Sequence, residues 1–130
     1  MYADTSALAK LVVTETETPA LRSWLARQGS RLVTNAVGVV ELHRLAAQVS
    51  QEAERTAALL LNRIDQVSLT ATALALAGSL PQAELRTLDA LHIASAAELV
   101  DLTAVLTYDQ RMAHAASHYG LPIESPGAPS

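Results

Sequence analysis

Met1-Tyr2-Ala3-Asp4-Thr5-Ser6-Ala7-Leu8 decides the fold, because a very short apolar run ends on a carboxylate and passes at once into hydroxyl residues and a helix-like pattern. A strand this short, placed first and followed by a helix, suits the buried centre of a parallel sheet. In such sheets ligands collect at the carboxyl ends of the strands. Asp4 then stands at that edge. The same position also suits a plainer part, since Asp, Thr and Ser are all favoured helix caps. Which part it plays depends on whether other acids reach the same edge.

Working outward, Ala7 to Val13 reads as the first helix, and Thr18-Pro19 opens a second that stops near Gly29, with Thr18 as its cap. Arg31 to Thr34 reads as a second strand, and Asn35 caps a helix from Ala36 to about Val49. A helix over Glu52 to Arg63, a strand over Val67 to Thr70 and a helix over Ala71 to Ala77 follow, with a break at Gly78 and Pro81. Thr87 opens a helix from Leu88 to about Val100, Thr103 to Thr107 is a fourth strand, and Gln110 to Tyr119 is the last helix. Leu121 to Glu124 adds an edge strand, and a turn-rich segment from Ser125 closes the chain. Strands alternating with helices define an α/β domain with a mostly parallel sheet of four to five short strands.

The length of 130 residues suits one domain with one good core. Half the chain is apolar, yet there is no Phe and only one Trp and three Tyr, so the core is built from Leu, Val and Ala. The scarcity of aromatics argues against base stacking as the main source of nucleic-acid affinity. The net charge of −4 argues against a general polyanion binder. The absence of cysteine removes disulfides, thiolate catalysis and cysteine-ligated zinc. No apolar run approaches the roughly 18 to 20 residues of a membrane span, and Asp4 and Lys10 stand where a signal peptide needs a different pattern, so a cytoplasmic location is expected.

In a parallel sheet each crossover helix runs antiparallel to the strands, so helix starts and strand ends share one side. Asp4 ends the first strand and Asp109 follows the fourth. Asp89 lies in the first turn of the helix that feeds the fourth strand. Glu41 lies under two turns into the helix after the second strand, and its longer side chain reaches back towards the edge. Asp109 and Asp89 also suit a helix N-terminus for local reasons. Glu41 is harder to explain away, since it is in line with Val37 and Leu45 at four-residue spacing, where a purely structural helix places an apolar side chain.

Two like charges about 4 Å apart repel by roughly 4 kcal/mol at an effective dielectric of 20, and four acids make several such pairs. Protonation of a coupled set, an inserted basic side chain, or a divalent cation relieves that repulsion. An all-oxygen site suits Mg²⁺ or Mn²⁺ better than Zn²⁺. Such ions acidify a water and stabilise the oxygens around phosphorus, which points to phosphodiester hydrolysis.

Asp4-Thr5-Ser6-Ala7, Val40-Glu41-Leu42, the run Leu85-Arg86-Thr87-Leu88-Asp89-Ala90-Leu91-His92-Ile93-Ala94, and Thr107-Tyr108-Asp109-Gln110-Arg111 together resemble the PIN-domain family, and within it the VapC-type toxins. The resemblance runs from about Tyr2 to Pro126. It implies a single PIN-like three-layer α/β/α domain over residues 1–126 with a flexible tail at 127–130. It also implies a Mg²⁺- or Mn²⁺-dependent endoribonuclease, a homodimer, and inhibition by a cognate antitoxin of VapB type whose C-terminal segment wraps the toxin. Carried over, the metal-binding acids are Asp4, Glu41, Asp89 and Asp109. Ser6 and Thr107 match hydroxyl positions that orient those acids or bound water, and Arg86 and Arg111 match positions for substrate phosphate or charge balance. Asn35 stands where many relatives have Ser or Thr. The family's antitoxins often supply an Arg to the pocket, a bidentate match for carboxylates.

Other signals have plainer readings. His114 and His118 share a helix face but lack a following Glu and a third ligand. His92 is one turn from Asp89, within reach of a hydrogen bond near the site, and packing or local satisfaction is its plainer reading. The apolar runs Ala57 to Leu61 and Ala71 to Ala77 suit core packing, or contacts with a second copy or an antitoxin. A phosphatase using an aspartyl-phosphate ordinarily needs a second Asp two residues after the first, and Ser6 holds that place. A silent domain that clamps a basic peptide is the non-enzymatic alternative.

Overall fold

Alternation along the first strand sets the layers. Met1 and Ala3 join one apolar cluster and Tyr2 joins another, as the two-residue period of a strand requires. In the computed structural model, which describes residues 1–129, the strands are β1 (Tyr2–Ala3), β2 (Val33–Asn35), β3 (Asp65–Val67), β4 (Val105–Leu106) and β5 (Ile123–Glu124). The helices are α1 (Thr5–Val12), α2 (Thr18–Gln28), α3 (Ala36–Val49), α4 (Gln51–Arg63), α5 (Ala71–Ser79), α6 (Thr87–Ala97) and α7 (Gln110–His118). The strands lie in the order β3-β2-β1-β4-β5 and every pairing is parallel. β1 pairs with β4 through Tyr2↔Val105 and Ala3↔Leu106, and with β2 through Tyr2↔Val33.

Leu8, Leu21, Leu42, Ala46, Ala57 and Leu61 from α1–α4 pack with Ala3 and Leu106 on one face. Ile93 and Ala96 of α6 and Met112, Ala115 and Ala116 of α7 pack with Tyr2 and Val105 on the other, and α5 packs on α6. The result is the expected three-layer α/β/α arrangement. The chain adds strands on one side of β1 first and on the other side afterwards. That reversal creates a switch-point crevice at the carboxyl ends of β1 and β4.

Two local expectations shift. β3 falls at Asp65–Val67 rather than Val67–Thr70, because Thr70 is taken as the cap of α5, with Ala73 N donating to its Oγ1 at 3.0 Å. As an edge strand β3 carries polar residues, and Arg31 holds Asp65 in a bidentate pair at 3.0 Å. Thr18 does not cap α2: its hydroxyl accepts from Glu15 N at 2.9 Å and donates to the Lys10 carbonyl at 2.7 Å, tying α2 to the end of α1. Gly29 ends α2 at φ +67, a conformation that favours glycine.

Asn35 caps α3 by accepting from Gly38 N at 2.9 Å, while its Nδ2 donates to the Leu91 carbonyl at 3.2 Å and to Ser95 Oγ at 2.9 Å. One side chain thus fastens α3 to α6. Gly38 is needed for the same approach, since a Cβ there would collide with Thr34 Oγ1 and press on His92 Cε1 at 3.3 Å. Beyond β5, Ser125 Oγ donates to the Thr107 carbonyl at 2.5 Å and Tyr108 Oη to the Pro126 carbonyl at 2.7 Å. Gly127, at φ +83, passes directly against Ala20. The expected tail at 127–130 includes Ser130, which lies outside the described residues.

Asn35→Ala removes a cap and two buried hydrogen bonds and is expected to destabilise the protein by about 2–4 kcal/mol. Asn35→Ser keeps a capping oxygen and is expected to lose roughly half as much. Equilibrium denaturation in urea measures both, and equal losses would show that the cap contributes nothing, whereas no loss in Asn35→Ser would show the same of the α6 contacts.

Candidate active site

Asp4 follows β1 at once and is the N-cap of α1, so the plain reading and the edge reading both hold. Its Oδ1 accepts from Ser6 Oγ at 2.6 Å and Ala7 N at 3.0 Å, and its Oδ2 accepts from Thr107 Oγ1 at 2.6 Å. The residue is 3% exposed. Burial pushes its carboxyl above the usual aspartate range, opposed by the hydrogen bonds from Ser6, Thr107 and Ala7. Thr107 also accepts from Asp109 N at 3.1 Å, and Tyr108 N donates to Ser6 Oγ at 2.8 Å. The ends of β1 and β4 are therefore joined through hydroxyls.

Asp109 caps α7, accepting from Arg111 N at 2.9 Å and Met112 N at 3.3 Å. Glu41 extends from α3, and its Oε1 accepts from Thr5 Oγ1 at 2.5 Å and lies 3.0 Å from His92 Nε2. The hydrogen bond with His92 holds this carboxyl below the usual glutamate range, against partial burial and with help from Thr5. Val37, Glu41 and Leu45 share a stripe, as their spacing indicates, but it lines a surface groove of about 630 Å³ with Thr5, Val40 and Leu88. The core-facing stripe of α3 is Gly38, Leu42 and Ala46.

Asp89, half-buried in the first turn of α6, feels the other three acids. Burial comes first, then the charges of Asp109, Asp4 and Glu41, and together they push its carboxyl up against the pull of His92. The four carboxylates from four elements thus share one electrostatic field. Among the described residues no Lys or Arg forms an ion pair with any of them. Arg86 and Arg111 are exposed, the first at the N-cap of α6 without a side-chain capping bond, the second one residue into α7.

This donor set, all oxygen and unpaired with Lys or Arg among the described residues, fits a hard divalent cation in chemistry and in charge. Among the described residues no three acidic or imidazole side chains stand close enough together to enclose an ion as they are. Both oxygens of Asp4 face Ser6, Ala7 and Thr107.

The sequence reading passed over Thr5 and Tyr2 and set His92 aside. His92 is 1% exposed, with Nδ1 2.7 Å from Tyr2 Oη. Its signal was its place three residues after Asp89 on one face of an otherwise apolar helix.

The fold and the site define a doubly wound α/β protein with an oxygen-only acidic centre at its switch point. The family model described as the PIN domain matches residues 1–117. Ribonuclease VapC47 of Mycobacterium tuberculosis (strain CDC 1551 / Oshkosh) is 41% identical over 133 residues, covering 98% of each chain. The crystal structure of M. tuberculosis VapC20, a sarcin-ricin loop cleaving toxin, superposes with a TM-score of 0.70 at 18% identity, covering 88% of this chain and 93% of that one. VapBC2 from Rickettsia felis, bound to a DNA fragment from its promoter, gives 0.73 at 11% identity, covering 95% and 96%. The chain belongs to the PIN-domain family, in its VapC branch.

Because the raised value of Asp89 makes the folded protein bind a proton more readily than the unfolded chain, its ionised form destabilises the fold above that value and has no effect well below 3.8. Without added metal, Asp89→Asn is therefore expected to raise Tm by about 2–4 °C at pH 7. The gain should shrink as pH falls through the raised pKa, which differential scanning calorimetry at a series of pH values follows.

Proposed function

We propose that this chain is a divalent-metal-dependent endoribonuclease, the toxin of a toxin-antitoxin pair, that hydrolyses RNA phosphodiester bonds in the cytoplasm. The observation that supports this reading most is that Asp4, Glu41, Asp89 and Asp109 share one field at the switch-point edge with no Lys or Arg among the described residues paired to them. Membership of a branch whose curated relatives are named ribonucleases supplies the substrate class.

Asp4, Glu41, Asp89 and Asp109 would hold Mg²⁺ or Mn²⁺, which when bound supplies charge for the scissile phosphate and acidifies an attacking water. Ser6 and Thr107 fix the orientation of Asp4 by donating to its two oxygens. Arg86 and Arg111, exposed and outside any ion pair among the described residues, offer their charges to flanking phosphates. The groove beside Glu41, walled by Val37, Val40, Leu45 and Leu88, gives an unpaired base an apolar surface next to the acids. That arrangement favours RNA loops over duplex, whose bases are stacked away.

A VapB-type antitoxin is the proposed inhibitor, and the structural relatives include the VapBC2 assembly from Rickettsia felis. A guanidinium from such a partner would neutralise the acids directly. A homodimer is proposed from the apolar side chains left on the surface of α4 and α5, with Leu59 59% and Leu74 50% exposed.

With Mn²⁺ or Mg²⁺ the purified protein is expected to cut structured RNA at a single-stranded loop. Asp4→Asn and Asp89→Asn should each lower the rate by at least about 10²-fold. Mn²⁺ should raise Tm of the wild type but of neither variant. Undiminished cleavage by both variants in folded form overturns the assignment.

A further inference from the structure

Both nitrogens of His92 are engaged, so the ring has no lone pair to offer a cation. Nε2 lies 3.0 Å from Glu41 Oε1 and Nδ1 lies 2.7 Å from Tyr2 Oη, with the ring 1% exposed. An ionised carboxylate accepts only, so the proton between His92 and Glu41 belongs to Nε2. With that proton on Nε2, a lone pair at Nδ1 faces the fully buried Tyr2 phenol, whose O–H can donate to it. Thr5 Oγ1 donates to the same Glu41 oxygen at 2.5 Å. Both donors converge on Oε1, which leaves Oε2 without a protein hydrogen bond among the described residues.

The ring is also fixed sterically. Tyr2 meets it edge-on, with centroids 5.8 Å apart and planes at 67°, and Gly38 lets α3 come so near that any Cβ there would touch the ring. Tyr2 belongs to β1, His92 to α6 and Glu41 to α3, so this chain of hydrogen bonds crosses from one helical layer to the other at the sheet edge.

We propose that Tyr2 and His92 form a directional hydrogen-bond relay, Tyr2 O–H to Nδ1 and Nε2–H to Glu41 Oε1, that positions Glu41 with Oε2 presented for cation binding. His92 is thus a positioning residue that acts through Glu41 and is not itself a ligand. The inference rests on the metal-dependent reading above and adds to it the residue that sets one of the four acids. Outer partners of this kind typically alter metal affinity by about 10–100-fold when removed.

Asn and Gln at position 92 separate the two ends of the relay. Asn places a carbonyl near Nδ1, keeping an acceptor for Tyr2, and loses the donor to Glu41. Gln reaches with an amide N–H towards the Nε2 position and keeps that donor. Mn²⁺ binding to the purified full chain, read from the electron paramagnetic resonance of free Mn²⁺, is expected to weaken by about 10–100-fold in His92→Asn and to stay within about threefold of wild type in His92→Gln. In a Glu41→Gln background His92→Asn should cause no further loss, because the residue through which it acts has been altered. The ¹⁵N shifts of the His92 ring in the metal-free wild type should report the Nε2–H neutral tautomer.

Unchanged Mn²⁺ affinity in His92→Asn, an equal loss in both backgrounds, or an Nδ1–H tautomer overturns the relay while leaving the metal-dependent reading intact. Absence of Mn²⁺ binding by the wild-type chain overturns that reading and the relay together.

Discussion

The buried carboxylate of Asp4 is the contact on which the rest of the structure depends. Without partners, an ionised carboxylate at 3% exposure would be severely unfavourable, so the chain must bring hydrogen-bond donors to it. Ser6 and Ala7 come from the following helix, and Thr107 comes from the far end of the chain. Satisfying one charge thus draws the termini of β1 and β4 together at the switch point. Asp109 follows Thr107 by two residues and is brought to the same edge by that closure.

Concentrating acids in this way sets stability against readiness to bind. The hydrogen bonds to Asp4 and Glu41 favour their ionised forms, whereas burial and the neighbouring charges work against ionisation of Asp89. The balance falls differently for each acid because each has different donors. Glu41 is relieved by a histidine and a threonine, and Asp89 has no comparable relief. Functional centres commonly hold such unresolved repulsion, and the rest of the fold must supply the stability they lack. Here the supply is two aliphatic clusters, one on each face of a sheet whose strands are only two or three residues long.

Much of this was legible in the residues. The alternation of strand and helix, the cap at Asn35 and the mutual electrostatic influence of four acids follow from general rules of parallel sheets, which place helix starts and strand ends on one side. β3 was displaced because an edge strand has no need of apolar residues, so hydrophobicity pointed two residues too far along. His92 was undervalued because burial in a helix is ordinarily structural, and nothing in the local pattern reveals that its partners are Tyr2 and Glu41, 90 and 51 residues away. Periodicity tells which way a side chain points; it does not tell which distant atom waits there.

The segment after β5 bears on how this protein can be handled. Ser125 grips the carbonyl of Thr107, whose hydroxyl grips Asp4, and Tyr108 beside it grips Pro126. Trimming the chain back past Ser125, or inserting an affinity tag between Glu124 and Pro126, would therefore unfasten the backbone that carries the acids. A fusion at the opposite terminus meets a similar obstacle, since the Met1 amine is tied to the Arg31 carbonyl and the first strand is the middle of the sheet. Exposed loops such as the one around Gly29 are the safer places for a reporter or a label.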